Sequence, residues 1–293
     1  MGLKMSVQSG NQKPKVLLAV LAHPDDESFG TGGTLAIYAR NGVDVYLICA
    51  TRGEAGEVDE RYMRGFQSVA ERREAELRCA AEKLGIKEVF FLNYRDSGMA
   101  GSPANRHPEA LVNQPVDKVA QDIAAIVQKI KSQVIITFDP IGGYRHPDHI
   151  AVHKATVEAF QSLRNSRGKL EGVDPGFAPE KLYFHTFPKG MLRIGIFFMR
   201  LMGKDPRKFG KNKDVDLLSL TDVDFPTHAK IGYYPVVEVR EQAAGCHASQ
   251  GGGRINRNPL GWFFRLFASY DTYMRAYPPV KDGEIERDLF DGI

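Results

Sequence analysis

The sequence predicts an α/β fold built on a doubly wound, mostly parallel sheet. Two observations carry that prediction. Apolar runs of strand length recur at residues 15–22 (KVLLAVLA), 43–50 and 133–138 (QVIITF), too uniformly apolar to alternate between core and water. Stretches with helical periodicity separate them, and strand–helix alternation of this kind builds parallel βαβ units.

Taken in order, the first strand runs into the turn HPDDE. A helix then extends to Arg40 and stops at Asn41-Gly42, a pair suited to ending a helix. The run 43–50 follows as a strand. Residues 66–84 read as a long helix closed by Gly85, and residues 88–94 as a strand. A polar Gly/Pro/Asn loop covers 95–115. Helix 116–131, strand 133–138, a Gly-rich loop 139–147 and a helix from Asp148 to about residue 163 complete the regular part. Beyond 165 the pattern loosens into a strand at 181–187, an apolar and basic stretch at 190–203 (GMLRIGIFFMRLMG) and a helical candidate near 240–250. The stretch 190–203 suits a helix packed on the domain better than an interfacial helix or a lid, so membrane binding is not expected of it. Residues 1–14 read as a flexible tail with no apolar signal core, residues 15–165 as the core, and residues 166–293 as the part of the same domain that completes the substrate cleft.

Bulk properties exclude more than they assign. The 293 residues suffice for a large core, with 43% apolar and 26% charged residues as in ordinary globular proteins. A formal charge of +3 without like-charge blocks gives no reason to expect nucleic acid. No apolar run approaches the roughly 18 residues of a membrane span. Cys49, Cys79 and Cys246 lack paired spacing, so they read as buried thiols in a reducing, cytoplasmic setting.

The turn after the first strand holds the chemistry. A dinucleotide site needs bare glycine backbone there, whereas His23-Pro24-Asp25-Asp26-Glu27 presents four ionisable groups, three of them acidic, that would repel phosphate. Gly30, Gly32 and Gly33 come too late for a cradle and suit close packing of the helix on the sheet. The second cluster, Tyr144-Arg145-His146-Pro147-Asp148-His149, follows the fourth strand. First and fourth strands neighbour each other at the switch point of a doubly wound sheet, so the two clusters should meet. Two imidazoles and a carboxylate suit a catalytic zinc ion with an open position, and they also suit iron(II). Such an ion acidifies water and polarises a carbonyl, and a neighbouring carboxylate can move the proton to a leaving amine. Asp25 and Asp26, being adjacent, should divide these tasks.

AHPDDE at 22–27 and HPDH at 146–149 resemble the two signatures of the LmbE/PIG-L family of zinc-dependent N-deacetylases. GGYRHPDH at 142–149, TRGEAGEV at 51–58 and RDSGM at 95–99 are most similar to its mycothiol-biosynthesis branch. The likeness spans the first 160 residues. It implies the family's Rossmann-like fold with a C-terminal extension, and hydrolysis of an acetamide on an N-acetylglucosamine-type conjugate. It implies His23, Asp26 and His149 as ligands of Zn2+ (Fe2+ being the other metal that suits them) and Asp25 as general base and acid. His146 is implied as oxyanion stabiliser, Tyr144 as a mobile contact to the amide, and Arg73, Asp96 and Glu57 as substrate contacts. Spacing alone does not choose His149 over His146 as ligand. The family also includes a hydratase of an oxo-acid, which is the alternative reaction, with Arg73 and Arg145 holding carboxylates. Self-association into a homo-oligomer stays open.

Several residues also have plainer readings. Arg73 lies within the apolar stripe Val69, Leu77, Ala80 and Leu84, where an internal salt bridge is as expected as a substrate contact. Asp148 suits either capping of the following helix or support of a catalytic imidazole. Glu27 is favoured at a helix start and suits buttressing of a ligand. His107, His153, His185 and His228 read as structural or surface groups. His247, in GCHASQ, falls in a C-terminal His/Gln motif of the family and receives no role.

Overall fold

A computed structural model describes residues 14–165, 176–187, 189–209, 216–252, 265, 269–280 and 283–293. Apart from Pro14, the expected tail lies outside the described residues.

Val16–Leu21 (β1) is buried at every position. Asp26–Phe29 (α1) and Gly32–Arg40 (α2) follow it, then Asp44–Thr51 (β2), Val69–Leu84 (α3), Glu88–Tyr94 (β3), Val116–Ile130 (α4), Val134–Phe138 (β4), Gly142–Arg145 (α5) and Pro147–Arg164 (α6). The chain then forms Lys181–Thr186 (β5), Lys189–Leu201 (α7), Ala229–Gly232 (β6), Val237–Cys246 (α8) and Tyr270–Tyr277 (β7). The seven strands form one sheet in the order β3-β2-β1-β4-β5-β7-β6. β1 to β5 are parallel, and β7 runs antiparallel to both β5 and β6. Right-handed crossovers therefore put α2 and α3 on one face, where α8 joins them, and α4 with α6 on the other. Winding reverses between β1 and β4, with Leu17 opposite Val134 and Ala19 opposite Ile136. Both HPD turns leave the sheet at that reversal.

The structure alters three expectations. The single helix up to Arg40 is broken at Gly30-Thr31, because three glycines in four residues support helix poorly. Gly30 faces His185 of β5, 3.6 Å from a Cβ placed there, whereas at Gly33 the close approach is to the ring of Tyr233, with a Cβ 2.0 Å from Tyr233 Cδ1. Asp148 is not the cap of α6, since that helix starts at Pro147 and His146 Nδ1 accepts the Asp148 N–H. The third correction concerns cysteine. Cys79 on α3 and Cys246 on α8 form a disulfide with Cα atoms 5.9 Å apart, and only Cys49 is a free, buried thiol. A separation of 167 residues conceals this pairing, which the packing of α3 on α8 creates. It removes the cysteine argument for a reducing compartment. Among the described residues, no helix is long and apolar enough to cross a membrane.

Candidate metal centre

The turn after β1 is held in a backbone conformation that side chains rarely adopt. Asp25 has φ 128°, ψ −27°, and its N–H donates to Glu27 Oε2 at 3.0 Å. Asp26 Oδ2 accepts the His23 N–H at 2.8 Å. The His23 ring bridges the turn. Its Nε2–H donates to Asp148 Oδ2 at 3.1 Å, and its Nδ1 faces Asp26 and His149. Asp148 Oδ2 also accepts the Ser97 N–H at 2.9 Å, so a carboxylate fixed from the far side sets the tautomer of His23.

The turn after β4 supplies the rest. Gly142, at φ +65°, lies so close to α6 that a Cβ would meet His149 Cβ at 2.9 Å and the Ile150 N at 2.9 Å. His149 stacks on Phe138, with ring centres 3.9 Å apart, and directs Nε2 to within 3.3 Å of both Asp26 Oδ1 and His23 Nδ1. His23 Nδ1 and Asp26 Oδ2 are 3.5 Å apart. Neighbouring ligands in a tetrahedral zinc site, with bonds of about 2.0–2.2 Å, stand about 3.3–3.5 Å from one another; the two imidazole nitrogens have that spacing, and Asp26 turns one carboxylate oxygen toward each of them. His146 is buried, with its ring 4.5 Å from that of His23. Ligand atoms of His23, His146 and His149 also fall within 4.8 Å of one another, as do those of His23, Asp96 and Asp148.

Charge supports the same reading. Asp26, Asp96 and Asp148 face His23, and the Arg73 guanidinium pairs with Asp25 beside them. Although burial lowers the proton affinity of His23, the carboxylates of Asp96, Asp148 and Asp26 raise it well above the usual histidine range. Burial raises Asp26, but His149 and His23 pull it well below the carboxylate range. His146 is driven down by burial and by the neighbouring imidazoles, so it is neutral, and because Nδ1 accepts from the backbone its proton sits on Nε2. Burial pushes Asp25 up to about 6, Arg73 drawing it down and Asp26 pushing it further up.

The remaining candidates fall around this triangle. Arg73, 5% exposed, donates to Gly53 O (2.8 Å), Pro24 O (2.7 Å) and Asp25 Oδ2 (3.1 Å). Gly53 must be glycine, since a Cβ would strike the guanidinium at 2.3 Å. Asp96 is buried; its carboxylate accepts the Ala55 and Gly98 N–H groups, with Oδ1 3.6 Å from His23 Nε2. Glu57 is exposed, and its carbonyl accepts from Gln250. Tyr144 is half-buried, edge-on to His149 at 5.1 Å between ring centres. His247, left unassigned by sequence, is fully buried with Nε2 2.6 Å from Glu27 Oε1, on the carboxylate that fixes the Asp25 backbone. Its partner lies 220 residues away, which no local pattern reveals. His153 bonds the Phe138 carbonyl, His185 packs between Phe187 and Tyr273, His107 accepts from the Glu109 N–H and His228 from the Arg275 N–H.

Fold and site together define a metal-dependent amide hydrolase. Residues 18–160 match the family model described as PIG-L, GlcNAc-PI de-N-acetylase, and the chain belongs to that LmbE/PIG-L family. It is 32% identical to the 1D-myo-inositol 2-acetamido-2-deoxy-alpha-D-glucopyranoside deacetylase 2 of Catenulispora acidiphila, over 97% of this chain and 99% of that one. It is 36% identical to the enzyme of that type from Acidothermus cellulolyticus, over 94% of each chain. Among solved structures, the N,N'-diacetylchitobiose deacetylase of Pyrococcus horikoshii shares the fold, with a TM-score of 0.59 at 21% identity over 92% of this chain and 87% of that one.

Proposed function

We infer that this chain removes the acetyl group from an N-acetylglucosaminyl inositol. The observation that carries the reaction is the triangle of His23 Nδ1, Asp26 and His149 Nε2, with Asp25 beside it. The substrate class rests on the two relatives above, similar along almost their whole length and named for that conjugate.

Held by His23, Asp26 and His149, a zinc ion would supply Lewis acidity toward the acetamide carbonyl and a water molecule. Iron(II) suits the same donors. Asp25, positioned by Arg73 and by the Glu27 contact to its N–H, takes the proton of the attacking water. The neutral His146 donates Nε2–H to the carbonyl oxygen as negative charge builds there, and Tyr144 closes the lip beside it. Asp25 then returns the proton to the nitrogen as the C–N bond breaks, releasing acetate and a free amine. Glu57, exposed, would meet sugar hydroxyls. Asp96 contributes by ordering the loop backbones at 55 and 98. Among the described residues after 165, Phe187, Lys189 and Phe225 would extend the cleft. A cavity of about 90 Å3 lies between Ile141 and Gly143 on one side and Phe187, Lys189 and Phe225 on the other, and offers room next to the site. The hydratase alternative has less support: Arg73, which it needs for a substrate carboxylate, is committed to Asp25 and two carbonyls.

Amine release measured with fluorescamine tests this reading. The zinc-loaded protein should turn over N-acetylglucosaminyl inositol with kcat/KM at least about tenfold above that for N,N'-diacetylchitobiose or free N-acetylglucosamine. Equal rates on all three would overturn the substrate class, and no amine from any of them would overturn the reaction.

A further inference from the structure

Helix α7 presents two apolar stripes, and the metal site uses neither. Leu192, Ile196 and Met199 form the inner one; Ile196 is buried, and the helix contacts the turn Ser219–Thr221. The outer one is Ile194, Phe197, Phe198 and Leu201, spaced i, i+3, i+4, i+7, with exposures of 46%, 58%, 41% and 67%. Met202, next in the chain, is 62% exposed, and Phe209, beyond the helix, 48%. Large side chains left contiguous in water at this spacing mark a surface made for an apolar partner. Arg193 and Arg200 lie along one flank of the outer stripe, and Lys204, Arg207 and Lys208 follow it, all exposed. Among the described residues none of these five side chains enters an ion pair. The described acidic neighbours sit at the ends: Asp224 paired with Lys189, Asp222 near Arg145, Asp205 after the helix, and Asp216 beside Leu217, whose N–H bonds the Pro206 carbonyl.

We propose that α7 is an in-plane docking helix for an anionic lipid bilayer, its outer stripe seated among the acyl chains and its arginines and lysines at the headgroups. Thirteen residues are about 20 Å of helix, too short to cross a bilayer, and the polar flank and fixed inner stripe hold it parallel to the surface. Charge selects lipid over a second copy of the chain. A two-fold contact would set the same cluster of five cations against itself, whereas anionic headgroups neutralise it. Because α7 begins at Lys189, which lines the cavity next to Gly143, docking would bring the mouth of the cleft to the membrane surface.

Sedimentation of the full-length protein with sucrose-loaded vesicles tests the proposal. The protein should pellet with vesicles of equal parts phosphatidylglycerol and phosphatidylcholine, stay in solution with phosphatidylcholine alone, and be released by high salt. The double variant Phe197→Ser/Leu201→Ser, altered at exposed positions and checked for an unchanged melting temperature, should bind about tenfold more weakly or worse. Arg193→Gln/Arg200→Gln should lose the preference for phosphatidylglycerol. A wild-type protein that ignores anionic vesicles at low salt overturns the assignment, as does a serine variant that pellets unchanged. Light scattering that shows a dimer dissociated by the serine variant would give the stripe to a second copy instead and equally overturn it.

Discussion

The tripeptide His-Pro-Asp occurs twice at the heart of this molecule, and the two copies do different work. In His23-Pro24-Asp25 the chain is bent into the positive-φ region at Asp25; the imidazole faces Asp26 and His149, and the Asp25 carboxylate pairs with Arg73. In His146-Pro147-Asp148 the proline opens a regular 18-residue helix. There the imidazole accepts a backbone N–H, and the carboxylate turns back to grip His23 Nε2. Backbone conformation, rather than residue identity, assigns each side chain its task. The second motif also serves the first, because Asp148 sets which nitrogen of His23 is free.

The largest expected effect separates the two aspartates. Asp25→Asn should keep its zinc by elemental analysis but lose about 10²–10⁴ in kcat, the usual worth of a positioned proton carrier. Asp148→Asn should keep the proton carrier yet bind zinc about 10–100-fold more weakly, read by competition with a chromophoric chelator. If the two variants exchanged these phenotypes, the division between the turns would be wrong.

A smaller effect concerns a carboxylate outside the site. Asp271 on β7 accepts the N–H and Oγ1–H of Thr34, and burial, opposed by those bonds and by Arg240, raises its pKa to about 6. Near the metal triangle Asp26 moves the other way, because imidazoles face it. With a folded pKa above the unfolded one, the contribution of Asp271 to stability is present at about pH 4 and lost as pH rises through about 6. Relative to wild type, Asp271→Asn should therefore gain on the order of 3 kcal/mol between about pH 4 and pH 7, measured by urea unfolding. A difference that does not change with pH would contradict the burial argument.

The two halves of the sheet differ in how much the sequence disclosed. β1 and β4 are buried on both faces, so their apolar runs and the turns behind them were readable, and β3 matched its expected bounds at Glu88 and Tyr94. β6 and β7 escaped notice. β6 has four residues at a sheet edge, and β7 mixes in Asp271 and Thr272, whose partners lie far along the chain, at Thr34 and Thr186. The buried histidine–carboxylate contact of His247 with Glu27 and the disulfide of Cys79 with Cys246 were hidden for the same reason, since each exists only once α8 packs against α1 and α3. Arg73 was visible as a charge in an apolar stripe, but its choice of Asp25 was not.

Equilibrium dialysis of metal-free protein against zinc tests most directly whether the two turns share one ion. One tightly bound zinc per chain is expected for the wild type, lost in both Asp26→Asn and His149→Ala while the fold persists by circular dichroism. Full zinc occupancy in either variant would contradict the convergence of the two His-Pro-Asp turns on a single cation.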